Sequence, residues 1–400
     1  MKLLKSIDRR IAKFFILLIR GYQYTISPDK GLLSLRLKGR VCMHQPHCSQ
    51  YSLIVFKRYG FVNGIIKVLD RVLHCTGGMK KIYDPAHYKI VFFSSAPIGV
   101  PFLENLFNDN RFQITGVVTQ CDKAMGRGLN VCENIIKTVT KNCKKNCEEN
   151  FIFTPEKINP DKSEEGKKFY ERLKSKEPDF IVVIAYGKII PQSVLDVPKM
   201  AAINIHGSLL PKYRGASPIQ STLLNNDKET GITIMKMDVG MDTGNIINTI
   251  RFDMPFDRTT KDIINQFQKI GPKFFNDNLR NYGKKMLGEI VQDETKVSYC
   301  KKILKEDGLI NPFENSLSEI YNKYRAFYLW PKIYFNLNSK RIIIEELKLD
   351  EKLFEENKNN VLIIDNKLNE AIIEIKFKPE GKKSMSRKEF KNGYKLGIRN

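Results

Sequence analysis

AAINIHGSLLPKYRG, residues 201–215, is the stretch from which the rest of the 400-residue chain can be read. Residues 201–205 are apolar but for Asn204, and Gly207 and Pro211 then break the run, so a buried strand leads into a loop. Side chains alternate along a strand, which puts Asn204 and His206 on one side at its carboxyl end. In open α/β sheets that end is where ligands bind. An amide with a fixed donor and an imidazole that donates or carries a proton suit a reaction in which a carbonyl oxygen gains negative charge, because preset donors stabilise the tetrahedral transition state. Asp242, in the glycine turn GMDTG, can hold the imidazole's tautomer and help move the proton released by a nucleophile. Asn-x-His taken bare reads more simply as two satisfied core side chains. The segments around it reverse that reading.

INIHGSLLPKYRGASPIQ, followed by ETGITIMKMDVGMDTGNII, closely resembles the methionyl-tRNA formyltransferase family, and upstream VVTQCDKAMGRG and PDFIVVIAYGKIIP resemble it in the same order. The resemblance runs from about Lys89 to the C-terminus. It implies a Rossmann-like catalytic domain that moves the formyl group of 10-formyltetrahydrofolate onto the α-amine of Met on initiator tRNA, with no metal. It also implies roles. Asn204 and His206 hold the oxyanion, and Asp242 keeps His206 charged or correctly oriented. Ala185, Tyr186 and Gly187 line the folate pocket, and Ser208, Leu209, Leu210 and Pro211 close over the tetrahydrofolate. Arg127, in a loop that also carries Lys123, matches the arginine that contacts the tRNA acceptor end, where a bidentate fork suits phosphate. Related folate-dependent formyltransferases act on glycinamide ribonucleotide or nucleotide-linked amino sugars, so fold and triad leave the acceptor open. The Arg127 loop and the basic C-terminal domain favour tRNA. A membrane- or ribosome-linked adaptor is the non-enzyme alternative, which an intact Asn204, His206 and Asp242 argues against.

From Lys89 the texture is α/β. Residues 89–94 and 114–119 read as parallel core strands around a helix starting near Val100. Residues 178–186, 201–205 and 230–238 add strands, and 262–279 a closing helix. Alternating strand and helix implies a doubly wound, mostly parallel sheet, in a catalytic domain over 89–288. The family's Thr-Pro-x-Pro-Val stretch is replaced here by residues 132–142, and a polar insertion follows near Lys144. Cys143 and Cys147, without two further ligands nearby, read as incidental thiols. Residues 303–400 read as a second unit, with a helix near 317–327 and short strands at 342–347, 361–364 and 371–377 whose spacing suits a small barrel. The family has an oligonucleotide-binding-like (OB) barrel here. Trp330, the only tryptophan, is expected in the barrel core. Lys382, Lys383 and Arg387 form a basic rim suited to tRNA phosphates, with a solvated charge run as the alternative.

The whole chain allows two or three domains. Its net charge of +23 implies a polyanionic partner, nucleic acid or an acidic membrane surface, although a Lys-, Asn- and Ile-rich composition explains part of it. The charge is uneven: residues 1–88 hold sixteen Lys/Arg against four Asp and no Glu. Eight cysteines spread through so long a chain imply reduced thiols in a cytosolic compartment. The apolar run at 14–19 falls short of the ~20 residues of a spanning helix and no small-residue cleavage site follows it, so neither an anchor nor a signal peptide is expected.

Residues 1–86 read as a separate module. Leu3, Leu4, Ile7, Ile11, Phe14, Phe15 and Leu18 recur at helical spacing, with Lys5, Arg9, Lys13 and Arg20 on the other side. Such a helix either lies in a membrane interface or packs on a core. IRGYQYTISP at 19–28, CMHQPHCSQY at 42–51, a turn from Gly60 to Gly64 and CTGGMKKIYDP at 75–85 resemble the YidD-type membrane protein insertion efficiency factor family. That resemblance implies a small helical module reaching the membrane surface or the insertion machinery at the cytoplasmic face. The protein is expected to be a monomer. Cys42, His44, His47, Cys48, His74 and Cys75 suffice to bind zinc, yet Cys-x5-Cys is not a standard knuckle, and packing is the expected role.

Overall fold

In the computed structural model, which describes residues 2–27, 44–73, 82–125, 130–143, 151–364 and 367–394, contacts divide the chain into two units. One comprises Met1–Lys89, Asn110–Gln113 and Arg280–Leu287, the other Ile90–Asp109, Ile114–Leu279 and Gly288–Asn400. The first is built on a helical hairpin, α1 (Lys2–Thr25) and α2 (Cys48–Leu73). α1 meets α2 through Asp8, Ala12 and Phe15, one row at steps of four and three. Ala12 is buried, Phe15 lies against the rings of Phe56 and Phe61, and the Asp8 carboxylate accepts the Val62 N–H at 2.8 Å. That amide is available because α2 kinks at Gly60, where φ is 80° and a Cβ would stand 1.8 Å from Asp8 Oδ2. The expected turn at Gly60 is therefore a kink inside one helix.

The apolar stripe read from the sequence points away from this seam. Leu4, Ile7, Ile11, Phe14 and Leu18 are exposed, as are Val62, Ile66, Leu69 and Leu73 of α2 at the same spacing; the side chains of Leu3 and Lys5 lie outside the described residues. Buried Arg71 donates to the carbonyls of Asp84 and Pro46 at 2.7 and 2.5 Å and covers the Tyr51 ring at 4.0 Å, which fastens the short parallel pair of residues 44–45 and 82–83 to α2.

Apart from the first two residues of β1 and of β2, the second unit holds a seven-stranded sheet: β1 (Tyr88–Ser94), β2 (Phe112–Val118), β3 (Ile152–Phe153), β4 (Phe180–Ile184), β5 (Ala201–His206), β6 (Glu229–Lys236) and β7 (Ile246–Asp253), in the order β7-β6-β5-β4-β1-β2-β3. β1, β4 and β5 run parallel, with Ile90 opposite Phe180 and Phe180 opposite Ala201, and β6 and β7 extend the sheet antiparallel. Strand order reverses between β1 and β4, so the carboxyl ends of β1, β4 and β5 open where doubly wound sheets bind ligands. Both faces are covered, and the middle of β1, residues 90–93, is accordingly an uninterrupted apolar run. Val91, Phe93, Ile181 and Val183 pack on Phe169 and Leu173 of α5 (Glu164–Lys174) and on Val194 and Leu195 of α6 (Gln192–Leu195). Phe102 of α3 (Val100–Asn108) meets Phe267 and Phe275 of α8 (Thr260–Gly283). α4 (Ile135–Cys143) lies between α3 and α5 in the chain, and α7 (Pro218–Leu224) between α6 and α8.

The C-terminal part opens with α9 (Leu317–Ala326), started by a capping box in which Ser316 and Glu319 satisfy each other's backbone. β8 (Ile333–Leu337), β9 (Lys340–Leu349), β10 (Ile372–Pro379) and β11 (Met385–Ser386) then form a four-stranded antiparallel sheet, with α10 (Glu351–Asn357) and α11 (Arg387–Gly393) beside it. Its core is continuous with the catalytic part through Leu223 and Ile263, and the Thr260 hydroxyl donates to the Ala326 carbonyl at 2.5 Å. Trp330 corrects the sequence reading. It is 55% exposed, because Phe327, three residues earlier at the end of α9, fills the core position instead.

Candidate functional site

β6 runs back along β5 with Thr233 opposite His206 and Met235 opposite Asn204. The chain leaving β6 then folds back on itself: Asp238 accepts the Gly240 N–H at 3.1 Å and the Thr243 hydroxyl at 2.6 Å. The turn holds Asp242 in the left-handed region, φ 56°, where few residues other than glycine sit without a reason. The reason is its carboxylate. Oδ1 accepts Asn204 Nδ2 at 3.1 Å, and Oδ2 accepts the Gly215 N–H at 2.9 Å while lying 3.5 Å from His206 Nδ1. The other ring nitrogen, Nε2, is 3.0 Å from the Tyr213 carbonyl. A carbonyl only accepts, so Nε2 carries a hydrogen and Nδ1 faces the carboxylate. The carboxylate also only accepts, so Asn204 must turn its NH2 toward Asp242, engaging one of its amide hydrogens.

The structure thus brings Asn204, His206 and Asp242 together. It treats the other sequence-derived residues differently. Ala185 (φ 46°) and Gly187 (φ 77°) are exposed in a turn after β4, whereas the Tyr186 ring is buried against Phe93 and burial pushes its hydroxyl far above the usual tyrosine range. Tyr186 can therefore offer only backbone. Polar residues that the sequence reading missed fix this turn: Gln120 Nε2 donates to the Tyr186 carbonyl at 2.8 Å, the Gln120 N–H to Ser95 Oγ at 3.0 Å, and Asn134 Nδ2 to the Ser95 carbonyl at 3.2 Å. Each is a single polar residue after a strand, a signal no periodicity carries.

The Ser208 hydroxyl is fully buried and donates to the Lys212 carbonyl at 2.7 Å. Leu209, Leu210 and Pro211 line a cavity of about 390 Å³ together with Tyr213, Asp227 and Arg251. A different cavity, of about 440 Å³, adjoins the loop that carries Asp242 and is lined by Gln192, Leu195, Met200, Ala202, Met237 and Val239 among others. None of the seven residues expected to hold folate lines it.

Lys123 lies in a short antiparallel ribbon, residues 123–125 with 130–132, while Arg127 falls outside the described residues. Lys382, Lys383 and Arg387 are exposed at the β10–β11 turn and the start of α11. Among the described residues no three His, Cys, Asp or Glu side chains converge as a metal set. Of the N-terminal candidates His44 is buried, His47 and Cys48 lie at the start of α2, and Cys42, His74 and Cys75 are outside the described residues, as are Lys144 and Cys147.

Three family models match consecutive parts of the chain: a membrane protein insertion efficiency factor at residues 11–87, formyl transferase at 88–279, and the formyl transferase C-terminal domain at 302–395. The methionyl-tRNA formyltransferase of Caldicellulosiruptor saccharolyticus is 34% identical over 317 residues, covering 77% of this chain and 97% of that one. That of Mycoplasmopsis pulmonis is 37% identical over 256 residues, covering 64% and 83%. Among solved structures, an N-formyltransferase from Helicobacter canadensis in complex with folinic acid and dTDP-3-aminofucose superposes with a TM-score of 0.50 at 18% identity, covering 75% of this chain and 98% of that one, a likeness of fold.

Proposed function

The chain belongs to the methionyl-tRNA formyltransferase family, and from that premise we propose which of its residues carry the reaction. The enzyme transfers the formyl group of 10-formyltetrahydrofolate to the α-amine of Met on initiator tRNA, and a membrane protein insertion efficiency factor segment precedes it in the same chain. Asn204 gives its second amide hydrogen to the formyl oxygen as the amine adds, and His206, whose Nε2–H is held by the Tyr213 carbonyl and whose Nδ1 faces Asp242, supports the same charge through its own charge when protonated. Asp242 fixes the orientation of both and receives the amine's proton, which water relays to N10 of the donor as the C–N10 bond breaks and tetrahydrofolate leaves. The observation that supports this assignment is one carboxylate within reach of Asn204, Gly215 and His206 at once.

The donor brings an activated formyl carbon. The chain's part is to bind and orient it. Ala185, Tyr186 and Gly187 offer backbone groups, and Ser208, Leu209, Leu210 and Pro211 are assigned to cover the tetrahydrofolate. For tRNA we assign Lys123, Arg127, Lys382, Lys383 and Arg387 to phosphate contacts, and the C-terminal sheet to an OB-like domain. Initial rates with charged initiator and elongator Met-tRNA test the acceptor: formylation of the initiator alone is expected, and transfer only to glycinamide ribonucleotide or an amino sugar nucleotide would overturn it.

The N-terminal module is assigned to the cytoplasmic face of the membrane. No described helix is long and apolar enough to cross a bilayer, yet Leu4, Ile7, Ile11, Phe14 and Leu18 are exposed in one stripe on a helix that also exposes Arg9, Lys13 and Arg20. Apolar side chains flanked by cations suit an anionic lipid surface. The full chain is expected to sediment with vesicles containing phosphatidylserine and far less with phosphatidylcholine alone, and Phe14→Glu with Leu18→Glu to abolish the difference. Equal sedimentation of the double variant would refute the assignment.

A further inference from the structure

We propose that Gln292 is a positioning residue of formyl transfer, holding Asp242 where its carboxylate meets Asn204 and His206; this rests on Asp242 acting as assigned above. Residues 280–301 lie outside both formyl transferase matches. Part of that linker nevertheless builds the floor of the site. Ile290 and Ile246 exchange backbone hydrogen bonds at 2.8 Å each, which lays the linker along the start of β7. Two residues on, Gln292 is 5% exposed and engages both of its amide hydrogens and its oxygen. Its Nε2 donates to the carbonyls of Asp242 and Gly244 at 2.8 and 2.7 Å, and its Oε1 accepts from Arg214 Nε at 3.1 Å.

Arg214 is itself 1% exposed and directs its two terminal nitrogens at Glu294, at 3.3 and 2.7 Å. The same linker continues beside residues 213–216, where the Ser298 carbonyl accepts the Arg214 N–H at 2.8 Å and Ser298 Oγ the Tyr213 N–H at 2.9 Å. One segment therefore grips both loops that meet the imidazole and the carboxylate. Residues 213–215 supply the Tyr213 carbonyl to His206 and the Gly215 N–H to Asp242; residues 242–244 supply Asp242. Aspartate tolerates the left-handed region, and here a single buried amide pins the carbonyls on both sides of the turn. Gly215 is fitted to the same clamp: at φ 125° a Cβ would stand 2.2 Å from the Cys300 carbonyl. The carboxylate's position, and with it the hydrogen-bond direction of Asn204, depends on a residue that touches no substrate.

The test uses the full chain. Gln292→Met keeps length and apolar shape but removes both donors. A misplacement of about 1 Å costs about 10²-fold in rate, so kcat is expected to fall by about 10- to 100-fold with KM for Met-tRNA unchanged, and the pH profile of kcat to be displaced from that of wild type. A purely structural role would lower melting temperature without moving that profile. Glu294→Gln covers the case in which Gln292→Met fails to fold. Its carboxylate is 71% exposed, so the fold tolerates the change, and loosening Arg214 should lower kcat by a smaller factor at unchanged KM. Wild-type kcat and pH profile in Gln292→Met, or in Glu294→Gln should the first not fold, would overturn the inference. Asp242→Asn separates the two readings. If it too retains full activity the site assignment fails; if it loses activity while the folded linker variant does not, only the role of Gln292 fails.

Discussion

Replacing Asn204 by alanine is expected to lower kcat for formyl transfer by about 10²- to 10³-fold, the loss that follows removal of one oxyanion donor. Initial rates at saturating charged initiator tRNA measure it. KM should change little, because the missing hydrogen bond is one that strengthens only as charge builds on the formyl oxygen, and interactions of that kind act on kcat rather than on ground-state binding. The fold should tolerate the change. Asn204 sits in β5 with its backbone paired to β4 and β6, its side chain is only half-buried, and Asp242 keeps the Gly215 N–H as a partner once Asn204 Nδ2 is gone. A melting temperature near that of wild type together with a depressed rate would place the effect on chemistry. A near wild-type rate would mean that the oxygen is held by another group.

The part of this site that could be read in the sequence is the part governed by local rules. Residues 201–206 form a strand because four of the six are apolar and a glycine ends the run, and the period of two then puts Asn204 and His206 on one face whatever the rest of the chain does. The same logic located β1, β4 and the helix at Val100. Backbone groups supplied by distant segments were not legible. The Tyr213 carbonyl that settles the His206 tautomer and the Gly215 N–H on Asp242 belong to a loop whose shape depends on Ser298 and Cys300, and an isolated Gln292 in a polar linker has no periodicity to announce it. Trp330 shows a different limit. Hydrophobicity argued for the core, but the core position went to Phe327, and a helix end leaves its next residues outside. In α1 the amphipathic period was plain, yet the packing row is the one containing Asp8, a charged residue that composition places in solvent and that the kink at Gly60 turns into a helix cap.

Asp242→Asn is expected to cost about 10²- to 10⁴-fold in kcat, the range of a lost acid–base group, in a protein that folds normally. Asparagine is among the residues that accept the left-handed conformation, so a φ of 56° does not penalise it, and Gln292 still holds the carbonyls of residues 242 and 244. What changes is hydrogen-bond direction. The carboxylate accepts on both oxygens, from Asn204 on one side and from Gly215 on the other. An amide accepts on one atom only. Since Gly215 offers a backbone N–H that cannot reverse, the amide oxygen must face it, and the new NH2 faces Asn204. Asn204 then satisfies itself by flipping, which aims its own carbonyl where a donor is needed for the developing oxyanion. The substitution therefore removes the negative charge beside His206 and inverts Asn204 in one step. If this coupling holds, Asn204→Ala in the Asp242→Asn background should cost far less than in wild type, since the donor it deletes is already lost. Full additivity of the two losses in kcat would show instead that Asp242 and Asn204 act independently.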